Sequence, residues 1–109
     1  MGRIALIGFG EAGQAVAGGL QAHDLCAYDI KIESPRTRAG LQVACASGGV
    51  AAAASLVGAL AGAEVVFSLV TADQALVVAQ AAAKGLAPDA LYFDGNSCAP
   101  ETKRAAAAV

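Results

Sequence analysis

Arg3-Ile4-Ala5-Leu6-Ile7-Gly8-Phe9-Gly10-Glu11-Ala12-Gly13-Gln14-Ala15-Val16 is the stretch on which the reading of this 109-residue chain turns. The apolar run 4–7 breaks into Gly8-x-Gly10-x-x-Gly13 and continues as small apolar residues at helical spacing. A strand, a tight turn and a helix therefore follow one another directly. In such a turn the first glycine permits the sharp bend, the second lets the backbone approach a pyrophosphate, and the third lets the helix pack closely on the strand. A helix starting near Glu11 would aim unpaired N–H groups and the positive end of its dipole at the anion. A glycine triplet alone is a weak signal in a chain with 13 glycines; the flanking strand and helix give it the context it needs. The stretch reads as the phosphate-binding opening of a Rossmann unit, against the alternative of a purely structural turn.

Working outward, the composition suits that unit. The length fits one domain, and 57% hydrophobic with 15% charged residues fits a sheet covered by helices on both faces. A net charge of -2 and widely separated aromatic residues give no footprint for nucleic acid. Arg3 precedes too short an apolar run for a signal peptide. Residues 43–63 carry no charge and are long enough to cross a bilayer, but they are built of Ala, Gly and Ser and are interrupted by Gly48-Gly49, so no membrane span is expected. Cys26, Cys45 and Cys98 are odd in number without C-x-x-C spacing, which points away from a disulfide framework or a zinc site and toward a reduced, cytoplasmic setting. Cys26 and Cys45 are expected in strands as small buried hydrophobes. His23 is expected as an exposed residue at the end of the first helix.

Along the chain, Ala12, Val16 and Leu20 recur every four residues and predict the buried face of a helix over 11–22. Residues 25–28 predict a second strand with Asp29 at its tip, 21 positions after Gly8, close to where a Rossmann unit places the carboxylate that accepts from ribose hydroxyls. Ser34-Pro35 predicts a capped short helix over 36–39 that Gly40 stops, and residues 41–45 a brief third strand. Leu56 and Leu60 mark a small-residue helix with Ser55 near its start. Residues 64–70 read as a doubly buried parallel strand. Thr71-x-x-Gln74 reads as a capping box opening a helix that runs to Lys84 and stops at Gly85. Residues 90–93 predict a fifth strand ending at Asp94-Gly95, followed by a loop and a helix from Pro100. That helix shows no cap or stop signal, so the chain is expected to be C-terminally truncated, an incomplete fragment.

Strands alternating with helices predict an α/β, doubly wound parallel sheet of order 3-2-1-4-5, with the switch point between the first and fourth strands. A ligand there meets three loops, at residues 8–13, 70–74 and 94–98. The cofactor contacts expected on them are Gly8, Phe9, Gly10, Glu11, Ala12, Gly13, Val70 and Thr71, together with Asp29.

Read together, Gly8-Phe-Gly-Glu-Ala-Gly13 and Asp94-Gly-Asn-Ser-Cys-Ala-Pro-Glu-Thr-Lys-Arg104 resemble the NAD(P)-binding domain of the 6-phosphogluconate dehydrogenase and β-hydroxyacid (3-hydroxyisobutyrate) dehydrogenase superfamily, over essentially the whole of residues 1–109. In that superfamily the loop after the fifth strand carries a D-x-S-T-x-S-P or related G-N-S pattern beside the nicotinamide. Asp94, Asn96, Ser97 and Pro100 fall on matching positions, so the resemblance implies Asn96 and Ser97 as substrate contacts. It implies NAD(P)-dependent oxidation of a small hydroxy acid. The residues themselves bear on the coenzyme: the Asp29 carboxylate would repel a 2′-phosphate and favours NAD, while Arg36 and Arg38 pull toward NADP. The resemblance also implies a homo-oligomeric full-length parent whose helical domain, absent here, supplies the general acid/base lysine, so that this fragment alone is inactive. Three features depart from the pattern. Ala12 stands where many members have methionine, Glu11 puts a carboxylate near the phosphate site, and Ala99 replaces the second serine. Cys98, with no neighbouring base, reads as an inert thiol. The alternative is a non-enzymatic, nucleotide-binding regulatory module on the same fold.

Overall fold

Aliphatic runs too short for helices alternate with alanine-rich stretches, and they fold as five parallel strands crossed over by helices. The structure is a computed structural model that describes residues 2–21, 23–86 and 89–95. The strands are β1 (Arg3–Ile7), β2 (Asp24–Tyr28), β3 (Ala51–Ala52), β4 (Ala63–Ser68) and β5 (Leu91–Asp94). The helices are α1 (Glu11–Gly19), α2 (Pro35–Ser47), α3 (Leu56–Leu60) and α4 (Ala72–Gly85), with a 3-10 turn at Ile30–Glu33. The sheet order is β3-β2-β1-β4-β5 and every pairing is parallel, as expected from the sequence.

β1 lies at the centre because four of its five residues are buried. Its alternation divides the core in two. Ile4 and Leu6 face α1 and α2, packing with Ala17, Leu41 and Cys45. Ala5 and Ile7 face α3 and α4, packing with Ala59, Leu60, Val78 and Ala82. At the N-terminal edge of the sheet Arg3 is paired with Asp24 across β1 and β2, 3.5 Å apart and exposed.

The structure corrects several expectations. Residues 41–45 are not a strand: they continue α2, and the third strand is Ala51–Ala52. Pro35 at the first helical position starts α2, and Gly40 does not stop it, since a glycine inside a helix costs only about 1 kcal/mol against alanine. Leu41 and Cys45, four apart, then both face the sheet. Cys45 is thus helical while Cys26 lies in β2; both are buried free thiols whose pKa burial pushes up.

α1 ends at Gly19, and its buried residues are Gly13 and Ala17, whereas Ala12 is exposed. The helix lies so close to the strand that its smallest residues must form the contact, which rotates the buried stripe by one position. His23 is half-buried beyond the helix, its N–H donating to the Leu20 carbonyl, because the chain drops there into β2. Ser55 caps α3 as expected, accepting from the Gly58 N–H at 3.0 Å. Thr71 makes no side-chain cap, so the capping box does not form; the Gln74 N–H donates to the Thr71 carbonyl instead. Asn96, Ser97, Cys98 and the helix expected from Pro100 lie outside the described residues.

Candidate functional site

The three glycines of the first loop meet three different surroundings. Gly8 has φ +95°, and a Cβ there would stand 2.8 Å from the Leu69 carbonyl oxygen. Its N–H donates to the Tyr28 carbonyl at 2.7 Å, while the Leu69 N–H donates to the Ile7 carbonyl at 2.7 Å. The turn is therefore stitched to the ends of both β2 and β4. A Cβ at Gly13 would meet the Gly8 carbonyl oxygen at 2.5 Å, so only glycine lets α1 come this close. Gly10 caps the N-terminus of α1, and no atom lies within 4 Å of where its Cβ would be. Packing requires the outer two glycines; at the middle one there is open space beside a helix N-terminus.

Asp29 ties this loop to the tip of β2. Its Oδ2 accepts from the Phe9 N–H at 2.8 Å and its Oδ1 from the Lys31 N–H at 3.0 Å, so the carboxylate both caps the 3-10 turn and fixes the glycine loop. The Phe9 side chain turns the other way, into the core under α1, and is 3% exposed. Beside Asp29, the Tyr28 hydroxyl donates to Glu33 Oε2. Partial burial, and then the hydrogen bond and charge of Glu33 and the charge of Asp29, push the Tyr28 pKa up to about 12.

These parts frame a cleft of about 600 Å³ at the C-terminal ends of β1, β2 and β4. Of the sequence-expected cofactor residues, Gly8, Gly10, Asp29, Val70 and Thr71 line it. Phe9 and Gly13 instead hold the loop's shape, and Glu11 and Ala12 are exposed on the first turn of α1, outside the cleft lining. Gln74, at the end of the second loop expected to meet the ligand, lines the cleft as well, while the sequence reading missed Tyr28, Ile30, Leu56 and Val77 on the remaining walls. Ile30 carried a signal: it is a lone aliphatic between Asp29 and Lys31, and it stands 70% exposed at the cleft.

Toward β5, the Gly95 N–H donates to the Ser68 carbonyl at 2.9 Å, holding the start of the third loop to the end of β4. Ser68 Oγ and the Tyr92 hydroxyl are buried without a well-formed hydrogen bond, and burial pushes the Tyr92 pKa up. Among the described residues, no group of three or more His, Cys, Asp or Glu side chains could hold a metal ion. No helix among them is long and apolar enough to cross a membrane.

The residues present fit a nicotinamide dinucleotide. Open backbone at Gly10, the free N–H groups at the start of α1 and a carboxylate at the tip of β2 are the features that a pyrophosphate and a ribose require.

Residues 3–94 match the model of the family described as NADP oxidoreductase, coenzyme F420-dependent. Among solved structures, a conserved hypothetical protein from Sinorhizobium meliloti 1021 is 41% identical with a TM-score of 0.92, covering 99% of this chain and 37% of its own. A conserved protein of unknown function, described as structurally similar to 3-hydroxyacid dehydrogenases, is 30% identical with a TM-score of 0.76, covering 97% and 38%. Mycobacterium tuberculosis 3-hydroxyisobutyrate dehydrogenase shares the fold at 24% identity, with a TM-score of 0.80 over 99% of this chain and 36% of its own. The chain thus spans little more than a third of the length of these structures. No curated protein matches it. With the glycine loop, the 3-2-1-4-5 sheet and the family model in agreement, the chain belongs to the NADP oxidoreductase, coenzyme F420-dependent family, as an NAD(P)-binding oxidoreductase domain.

Proposed function

We propose that residues 1–109 bind the dinucleotide across the switch point and act as the cofactor domain of an oxidoreductase whose substrate is a small hydroxy acid. The observation that carries this reading is the open space at Gly10, flanked by two glycines that packing does require. The backbone of Gly8, Phe9, Gly10, Glu11, Ala12 and Gly13 surrounds the pyrophosphate, with the α1 dipole behind it. Asp29 accepts from the ribose hydroxyls, its two oxygens each retaining a lone pair beside the backbone N–H they already hold. Val70 and Thr71 form the opposite wall. Asn96 and Ser97 orient the substrate carboxylate or hydroxyl. The bound nicotinamide supplies the hydride chemistry, while the chain's own residues bind, orient and shield. The proton acceptor for the substrate hydroxyl comes from a further domain of the parent, a homo-oligomer in the cytoplasm.

NAD is the favoured coenzyme. Asp29 would repel a 2′-phosphate, and Arg38 is engaged elsewhere, its Nε donating to the Ile32 carbonyl at 2.7 Å. The test is Gly10→Val. Because nothing surrounds that position, the variant should fold with a melting curve close to the parent's while NADH affinity in calorimetry falls roughly tenfold or more. A folded variant with unchanged affinity would overturn the site.

A further inference from the structure

We propose that Glu33, held in place by the Tyr28 hydroxyl, is a second carboxylate that discriminates between coenzymes, so that it and Asp29 together select a ribose 2′-hydroxyl over a 2′-phosphate. The inference rests on the dinucleotide reading above and adds a residue that neither the glycine motif nor the strand-tip rule points to. Tyr28 and Asp29 both line the cleft at the end of β2, and the Tyr28 hydroxyl is hydrogen-bonded to Glu33. Glu33 is exposed and does not itself line the cleft; the Tyr28 hydrogen bond is what holds its carboxylate next to the wall that Tyr28 and Asp29 form.

The rim is ordered by its own contacts. Ile32, in the middle of the 3-10 turn, is buried, and its N–H donates to the Asp29 carbonyl at 2.9 Å. From α2, Thr37 Oγ1 donates to the Lys31 carbonyl at 2.7 Å, and Arg38 Nε donates to the Ile32 carbonyl. The turn is thus clamped at its start by Asp29 and along its length by α2, with Glu33 as its last residue. Holding an exposed, flexible glutamate in one place lets its charge act on a ligand at the rim, because the ordering cost has been met by the Tyr28 hydrogen bond before any ligand arrives. Lys31 and Arg36 are exposed, and neither makes a side-chain hydrogen bond or ion pair among the described residues. A phosphate added to the ribose would bring close to two negative charges toward Asp29 and Glu33, with Lys31 between them as the opposing cation, so removing the Glu33 charge should favour the phosphate.

The experiment titrates the protein, Glu33→Gln and Tyr28→Phe with NADH and NADPH, following nicotinamide fluorescence at low and high salt. The parent should bind NADH more tightly. Glu33→Gln is isosteric and can still accept the tyrosine hydrogen bond, so it should fold. Its NADPH-to-NADH Kd ratio should fall roughly three- to tenfold, by tighter NADPH binding, and the change should shrink as salt rises. Tyr28→Phe keeps the carboxylate but releases it, and should move the ratio the same way by less. Damage to the fold would weaken both nucleotides together and leave the ratio alone. Glu33→Lys provides a second reading of the ratio and should shift it further than Gln does. A ratio unchanged in Glu33→Gln and Glu33→Lys while both nucleotides still bind, or a parent that prefers NADPH, overturns the role of Glu33 and leaves the cleft assignment standing. Failure of the parent to bind either nucleotide overturns the dinucleotide reading and this inference with it.

Discussion

At the β1–β2 end of the crevice the polar groups that shape the wall are tied to one another: Gly8 to Tyr28, Phe9 to Asp29, Asp29 to Lys31, Tyr28 to Glu33. At the β4–β5 end Thr71 caps nothing with its side chain, and Ser68 and Tyr92 bury hydroxyls without a well-formed hydrogen bond. There β5 also leaves Leu91 and Phe93 exposed, Phe93 stacking on Phe67 at 5.3 Å. The first end is shaped by contacts between residues that a Rossmann unit brings together within its first 33 positions. At the second end, among the described residues, the Ser68 and Tyr92 hydroxyls meet only each other, and loosely. Pre-assembly of one end suits a ligand whose shape is constant, such as the adenosine and pyrophosphate of a dinucleotide. The contrast also predicts unequal consequences of substitution at the two ends.

The largest effect should come from Gly13→Val. Its Cβ would meet the Gly8 carbonyl oxygen at 2.5 Å and the Phe9 ring at 3.3 Å, so α1 must lift from the sheet and take the glycine loop with it. A loss of about 2 to 4 kcal/mol is expected in urea denaturation, in the range of overpacked cores. The same substitution at Gly10 should cost little stability, and a Gly13 variant as stable as the Gly10 variant would erase the distinction between a packing glycine and a ligand glycine.

Next in size is Asp29→Ala. It leaves the N–H groups of Phe9 and Lys31 without their acceptor and uncaps the 3-10 turn, for about 1 to 3 kcal/mol together. Asp29→Asn retains one amide oxygen and should recover part of that loss. Amide exchange provides the local check: the Phe9 N–H should lose protection in Asp29→Ala while the amides of β1 keep theirs. Equal stability of Asp29→Ala and parent would show that the first end is not held together in this way.

How far these features were legible differs along the chain. The glycine spacing and the position of Asp29 were enough to place the loop and the sheet order, because each depends on local backbone geometry. Residues 41–45 misled because a short apolar run fits a buried strand and one face of a helix equally well, and only the sheet's actual neighbour, Ala51–Ala52, separates the two. The four-residue recurrence of Ala12, Val16 and Leu20 was real, yet the contact runs through Gly13 and Ala17, since close approach is decided by the smallest side chains rather than the most apolar ones. The bond from Phe9 to Asp29 joins residues 20 apart and has no signature in composition or periodicity. Nor could the sequence show that Tyr28 and Glu33 touch, because that contact depends on the 3-10 turn between them.

At the other end of the crevice Ser68→Ala should be nearly silent. The Ser68 side chain is fully buried, and its hydroxyl acts on the buried Tyr92 hydroxyl without a well-formed hydrogen bond, so replacement by a methyl group removes a poorly met desolvation cost at the loss of one weak polar contact. Stability should stay within about 1 kcal/mol of the parent or rise. A loss of 2 kcal/mol or more, measured in the same urea series as the Asp29 variants, would mean that the hydroxyl holds β4 to its neighbours and that the two ends are alike.

The smallest effect is invisible at neutral pH. Tyr28 and Tyr92 are the chain's two tyrosines, and both are held neutral in the folded state beyond the ordinary value of 10.0, Tyr28 up to about 12. A folded-state pKa above the unfolded one means that the neutral phenol favours folding. That contribution is complete below about pH 10, and it declines as the unfolded chain ionises first and pH rises toward the folded-state pKa of Tyr28. Absorbance at 295 nm should therefore show no tyrosine ionising near pH 10 while circular dichroism still reports the fold, and both should ionise near 10 in urea. Tyr28→Phe should remove the component near pH 12 and flatten the alkaline fall in stability, because Tyr28 is the residue whose hydroxyl meets Glu33. A tyrosine titrating near 10 in the folded parent and absent in Tyr28→Phe would show that the hydroxyl is free in solution, and the tightly bonded end of the crevice would then stop at Asp29.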